Sequence, residues 1–384
     1  MTDLPELGAA IRPEWALDPD YVTVNHGSYG ATPRCVLAAQ REWQDRLERQ
    51  PTRFMTVELP SLLRAAAERF AAFVGAEGRD LVFTENATQA CNAVLRSLTF
   101  APDEEILVLS HGYGAVVKAV RYIASRSGAR MTVAELPFPR PDDDSIIANL
   151  IAAITPRTKL AVLDHITSAS ALVLPIQRMV AACHAHGVQV LVDGAHAPGH
   201  VPLNVTEINA DWYTGNAHKW LMAPKGCAFL WARRDRQDDL HPVTISHGYG
   251  DGYLAEFDWI GTRDPSAWLS VTAALDFYQR LGGGALQQRN IALAAEAATR
   301  LAARFGTETG TGNATQGAMG LVRLPLSGKV TPEHTLALRA RLLVTGTDSP
   351  IHPLADGAWL RISAQAYNEM ADFDAMADLV AKLL

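Results

Sequence analysis

The chain is poor in cysteine, and none of its four cysteines stand at CxxC spacing: Cys35, Cys91, Cys183 and Cys227 are scattered over 384 residues. That scatter argues against a disulfide framework or a structural zinc site and predicts reduced thiols in a cytoplasmic protein. Positive charge is not in excess. The 34 Lys and Arg stand against 41 Asp and Glu, a net charge of −7, which speaks against a nucleic-acid partner. No apolar run reaches the ~18 residues that suggest a membrane span, and the acidic, Pro-interrupted start lacks the basic region of a signal peptide. No Gly-rich loop follows an apolar strand. Gly282-Gly283-Gly284 follows a helical pattern, so a dinucleotide-binding fingerprint is missing. No repeat of regular period occurs. What remains is 48% hydrophobic residues with only 20% charged, enough apolar material for a large core and too much for a disordered chain.

Short apolar runs alternate with helical patterns through the first two thirds. Strands are predicted at 81–83, 106–109, 131–134, 160–163, 188–192, 212–213 and 228–231, with helices at 88–98, 115–125, 144–154 and 176–186 between several of them. Apolar strands separated by helices imply an α/β fold built on a mostly parallel sheet covered on both faces. After residue 262 the texture changes. A helix over 265–281 and another over 286–305 are expected, then a Gly/Thr-rich loop over 306–320. A strand at 321–324, a helix at 332–343, a strand at 359–363 and a terminal helix at 368–384 complete the chain.

Candidate chemistry concentrates in 188–222. An apolar run ends in Asp193 followed by Gly194-Ala195-His196, and a second run delivers Asn216-Ala217-His218-Lys219-Trp220. A carboxylate at the C-terminal end of a buried strand stands where open α/β sheets place ligands. A lysine among apolar neighbours loses basicity, and a neutral amine is what Schiff-base formation with an aldehyde needs. A turn cap at Asp193 and a surface role for Lys219 are the bland alternatives. Glu85-Asn86-Ala87-Thr88 joins a strand to a helix, either as an anion cradle or as an ordinary N-cap. His111 and Tyr113 follow another strand, where a ring could stack on a planar cofactor. Gly261-Thr262-Arg263-Asp264 adds a hydroxyl and a cation. His196 and His200 are four apart, but Pro198-Gly199 between them precludes a helical metal pair, and no metal site is expected.

Taken in order, Asn25-His26-Gly27-Ser28-Tyr29-Gly30, Asn86-Ala87-Thr88, Asp193–Gly199, His218-Lys219-Trp220, Gly261–Asp264 and Leu360–Ala364 make the chain resemble the aminotransferase class V family. The resemblance is to fold-type I pyridoxal-phosphate enzymes, in the isopenicillin-N-epimerase-like branch. It implies a seven-stranded large domain over 31–262, an entrance segment over 1–30, a small α/β domain over 263–384, and pyridoxal 5'-phosphate as cofactor. Lys219 would carry the cofactor aldehyde, Asp193 would pair with its pyridine nitrogen, His196 would approach its phenolic oxygen, and His111 would stack on the ring. Ala87, Thr88, Asn216 and His218 would hold the phosphate, with Thr262 reaching that of a neighbouring subunit in a homodimer. Arg361 would clamp the carboxylate of a small amino-acid substrate, with Asn25, His26, Ser28, Tyr29 and Tyr113 around it.

The reaction is less constrained. A cysteine desulfurase needs a nucleophilic cysteine before the carboxylate-binding arginine, and 306–330 contains none. Cys35 and Cys91 are expected to pack inside helices, and Cys227 to lie in a strand. Epimerisation at Cα is placed first, carbon–sulfur lysis second and transamination third.

Overall fold

The computed structural model describes residues 5–384. Its twelve strands are β1 (Val22–Thr23), β2 (Leu81–Thr84), β3 (Glu105–Leu109), β4 (Arg130–Ala134), β5 (Thr158–Asp164), β6 (Gln189–Asp193), β7 (Trp212–Asn216), β8 (Ala228–Ala232), β9 (Met319–Arg323), β10 (Thr347–Asp348), β11 (Ile351–Leu354) and β12 (Gly357–Ser363). The apolar runs of β2, β3, β6, β7 and β8 are almost wholly buried, as strands covered on both faces must be. They build a seven-stranded sheet in the order β2-β8-β7-β6-β5-β3-β4. Every pairing is parallel except those of β8, which runs antiparallel to β2 and β7. The expected α/β class and seven-stranded sheet are therefore present, with each predicted strand within two residues of its place, except that β7 runs on to Asn216.

Local chemistry sets the helices between the strands. Asn86 accepts the Gln89 N–H and so starts the helix Ala87–Ser97. Asp142 accepts the Ser145 N–H and starts Asp143–Ala153. Gly128, at φ 81°, ends Gly114–Ser127.

A three-stranded antiparallel sheet, β11-β12-β9, lies beyond the large sheet. Two strands in this part escape the sequence pattern: β11 contains Pro353, and β10 is two residues long. The predicted helix over 265–281 is two pieces, Ser266–Leu269 and Val271–Arg280. These pieces extend the large unit past residue 262. Trp268 stacks on Phe83 of β2, and Tyr278 meets Phe73 edge-on. The helix Gly284–Phe305 then crosses over, its Ala294, Ala298 and Leu301 packing with β9 and β12 residues in a separate core. The N-terminal segment is stitched to this last part, because β1 pairs in parallel with β10.

Cys91 is buried in its helix, but Cys35 is exposed on the helix Arg34–Arg49 and is not a packing residue. Cys227 immediately precedes β8 rather than lying within it. Among the described residues no helix is long and apolar enough to cross a membrane, and no group of three or more His, Cys, Asp or Glu is placed to hold a metal ion.

Candidate active site

The C-terminal ends of β5 and β6, the residues just after β7 and the N-terminus of Ala87–Ser97 converge on a cleft of about 560 Å³. This is the ligand position of an open parallel sheet. Ten of the predicted site residues line it: Ser28, Tyr29, Ala87, Thr88, Tyr113, Asp193, His196, Asn216, His218 and Lys219.

Lys219 is the centre of the cleft chemistry. Its Nζ lies 3.1 Å from His196 Nε2. Burial, reinforced by the charge of Arg361 and opposed by Asp193, lowers its pKa to about 7. A depressed lysine of this kind is a nucleophile for an aldehyde and a base near neutrality. Cofactor uptake by the apoprotein, trapped with borohydride, is accordingly expected to accelerate as pH rises through about 7. A rate independent of pH there would contradict the depressed lysine.

Asp193 ends β6 and accepts the Ala195 N–H at 3.0 Å. Its burial raises its pKa, with Lys219 and that amide acting in the opposite direction. Gly194 follows because a Cβ there would lie 2.2 Å from the Tyr213 hydroxyl. The sequence did not single out Asp164, yet it ends β5 directly opposite Asp193 in the strand register and also lines the cleft. Its Oδ1 accepts the Tyr113 N–H at 3.2 Å. Burial and the neighbouring Asp193 push its pKa well above the usual carboxylate value. A strand ending in Asp beside another ending in Asp was the available signal. Asp164→Asn is expected to keep stability near that of the parent, because a neutral amide still accepts the Tyr113 N–H. Asp164→Ala orphans that N–H and should cost about 1–3 kcal/mol in chemical denaturation. Equal stability of the two variants would contradict this role.

The anion cradle differs in detail from expectation. The Ala87 N–H is taken by Asn216 Oδ1 at 2.9 Å, so Asn216 braces the helix start. The Thr88 N–H has no acceptor among the described residues and stands in the first turn, where the helix dipole favours an anion. His218 donates through Nδ1 to the Cys227 carbonyl at 3.0 Å, and burial lowers its pKa to about 4. It can donate to an anion only through Nε2, after taking up a proton.

Five predicted residues do not line the cleft. His111 is turned aside, its Nδ1 2.9 Å from Ser170 Oγ and its ring edge-on to Phe138, and the phenol rings that line the cleft are those of Tyr29 and Tyr113. His26 is buried, bonded to the Tyr367 hydroxyl at 2.9 Å and to the Lys219 carbonyl at 3.0 Å. It ties the N-terminal segment to the lysine's backbone instead of meeting a substrate. Asn25 accepts Arg361 Nη2 at 3.2 Å and donates to Asp348 at 2.6 Å. Arg361 itself is only 2% exposed and stands behind the cleft wall. Its guanidinium donates to the Ser168 carbonyl and hydroxyl and to Ser28 Oγ, both residues of the lining. It meets no carboxylate, and its Nε has no partner. A buried cation without a counter-ion is costly and suits a site that receives an anion. Thr262 lies outside, in a second groove with Gln44, Leu47, Met55 and Arg263. Glu85, Asn86 and Ala195 also line the cleft, and Ile166, Ser168 and Gly226, which carried no sequence signal, complete the lining.

A lysine with depressed pKa, a carboxylate at the C-terminal end of the central strand, a helix N-terminus and a buried arginine together match one family in sequence as well. The profile of the aminotransferase class-V family covers residues 30–376. The chain belongs to the aminotransferase class-V family. It is 36% identical over 96% of its length to a probable chloroplastic L-cysteine desulfhydrase of Arabidopsis thaliana, covering 84% of that protein. To the isopenicillin N epimerase of Streptomyces clavuligerus it is 33% identical, with 97% of each chain covered. The hercynylcysteine sulfoxide lyase of Schizosaccharomyces pombe is 25% identical over 72% of this chain and 73% of that one. Among solved structures, a cystine C–S lyase bound to cysteine persulfide superposes with a TM-score of 0.79 at 22% identity, covering 95% of this chain and 97% of that one. At that identity the superposition speaks for the fold alone. The fold expected from the motifs, the pyridoxal-phosphate-dependent class-V family and the branch that includes isopenicillin N epimerases are thus in place.

Proposed function

We propose that the protein is a pyridoxal 5'-phosphate enzyme that breaks a carbon–sulfur bond in a small amino acid by β-elimination. The residues fit the cofactor: Lys219 for the aldehyde, Asp193 for the pyridine nitrogen, and the Thr88 amide at a helix start for the phosphate. Bound there, the cofactor supplies an electron sink for the pair left at Cα. The chain does the rest. Arg361, released from Ser28 and Ser168, binds the α-carboxylate with its planar fork. Lys219 removes the Cα proton. Tyr113, half-exposed and with its pKa raised by burial and Asp193, retains its proton and can give it to the departing sulfur. For cysteine the balance is cysteine plus water giving pyruvate, ammonia and hydrogen sulfide.

This reading is supported by an amine, Lys219, and a phenol, Tyr113, lining the same cleft, and by the 36% identity to a probable L-cysteine desulfhydrase. Lys219 is moved to about 7, whereas Asp164 and Tyr113 are moved toward their protonated forms and His196 toward its neutral one. One base and one proton donor suit elimination. Epimerisation is the second reading, favoured by the 33% identity to isopenicillin N epimerases, and it asks Tyr113 to accept a proton as well as give one.

The test is incubation of the loaded enzyme with L-cysteine and a panel of L- and D-amino acids in deuterated water. Pyruvate and a released thiol or sulfide support the lyase. Deuterium at Cα with inverted configuration and no pyruvate supports the epimerase. A 2-oxo acid that keeps the substrate's carbon chain would replace both with transamination.

We place the enzyme in the cytoplasm, on its free thiols. We also propose a homodimer in which a second copy covers the groove around Thr262 and brings that hydroxyl toward the partner's phosphate site.

A further inference from the structure

We propose that Trp220 is a positioning residue: its indole N–H selects the ring tautomer of His196, so that His196 presents Nε2–H to Lys219. Trp220 is 1% exposed, and its Nε1 donates to His196 Nδ1 at 3.4 Å. An indole nitrogen is a donor only, so the Nδ1 that receives it must carry a lone pair. His196 is itself buried and surrounded by Lys219, Arg361, His200 and His218, a set that keeps it neutral. A neutral imidazole with a bare Nδ1 carries its proton on Nε2, the atom 3.1 Å from Lys219 Nζ. The opposite tautomer would set N–H against N–H and leave the buried indole donor unpaired.

A second histidine holds this arrangement. His200 Nε2 accepts the Ala318 N–H at 2.6 Å, which obliges its Nδ1–H to donate to the His196 carbonyl at 3.0 Å. Its ring lies against Trp220, with centroids 4.0 Å apart. Gly199, at φ +81°, allows the approach, since a Cβ there would fall 2.8 Å from the Trp220 carbonyl group. The chain of contacts therefore runs from Ala318 through His200 to His196 and Trp220, and ends at Lys219. Neither Trp220 nor His200 lines the cleft.

The consequence for the loaded enzyme rests on the cofactor reading given above. A fixed Nε2–H is a donor toward the cofactor's phenolic oxygen, a bond that the other tautomer could not make. The proton on Nε2 in the apoprotein does not depend on that reading.

The test uses the full-length apoprotein labelled with nitrogen-15 histidine, the His196 signals being assigned by their absence in His196→Gln. Wild type is expected to show a protonated Nε2 and a bare Nδ1 above about pH 7, where Lys219 is the neutral amine that can accept from it, without an imidazolium form. In Trp220→Phe the two ring shifts should converge as the tautomers mix, and the absorption maximum of the loaded protein should move. A bare Nε2 in wild type overturns the proposal, as do ring shifts unchanged in Trp220→Phe. If that variant does not fold, the wild-type spectrum decides alone. A protein that shows the expected tautomer but takes up no pyridoxal phosphate keeps this inference and loses the cofactor reading.

Discussion

Lys219→Ala is expected to lower kcat by about 10⁴-fold, the upper end of what a positioned general base contributes. The proposed function gives the residue two duties, attachment of the aldehyde and removal of the Cα proton, and no second amine shares the cleft lining. Lys225, six residues on, lies outside that lining. The apoprotein should not suffer. Replacing a buried amine by a methyl group removes a desolvated, titrating group whose one side-chain partner is His196. Steady-state rates together with thermal unfolding separate the two effects. A variant that unfolds more easily but retains activity would show that Lys219 is structural.

Arg361→Ala is expected to reduce kcat/KM by roughly 30- to 3,000-fold, the equivalent of about 2–5 kcal/mol for the loss of one partner of a buried charge pair. Most of the loss should appear in KM, because the carboxylate is held in the ground state and the transition state alike. Arg361→Lys should recover little. An ammonium cannot reproduce the fork that now reaches Ser168 on one side and Ser28 and Asn25 on the other. A competing view, that Arg361 merely staples the N-terminal segment to β12, predicts a stability loss without a change in KM. Initial-rate measurements over a range of substrate concentrations decide between them.

Much of this site was legible because β-strands end where ligands bind. Asp193 and the segment carrying Lys219 follow apolar runs that are unmistakable, and the order of motifs placed Arg361 on a strand of the second sheet. The errors have one physical origin, which is that sequence spacing does not tell which way a loop side chain turns. His111 and Tyr113 are two residues apart after β3. Asp164 accepts the Tyr113 amide and the cleft receives its ring, whereas His111 settles on Ser170 and Phe138. His26 has the composition of a substrate ligand, but its two ring nitrogens are spent on Tyr367 and on the Lys219 carbonyl. Asp164 and Ser168 were invisible because their roles arise from long-range neighbours: Asp193 across the sheet for one, Arg361 193 residues away for the other. The helix boundary at Ser270 and the short strand β10 were missed for a similar reason, since packing against distant elements set them rather than local pattern.

Attachment of the pyridoxal-phosphate aldehyde to Lys219 is the proposal common to both variants. Its most direct test is to load the protein, reduce it with borohydride, digest it and locate the pyridoxyl group by mass spectrometry. A single label per chain is expected, on Lys219, absent without the cofactor. A label distributed over other lysines, or a stoichiometric label on Lys225 with Lys219 unmodified, would contradict it.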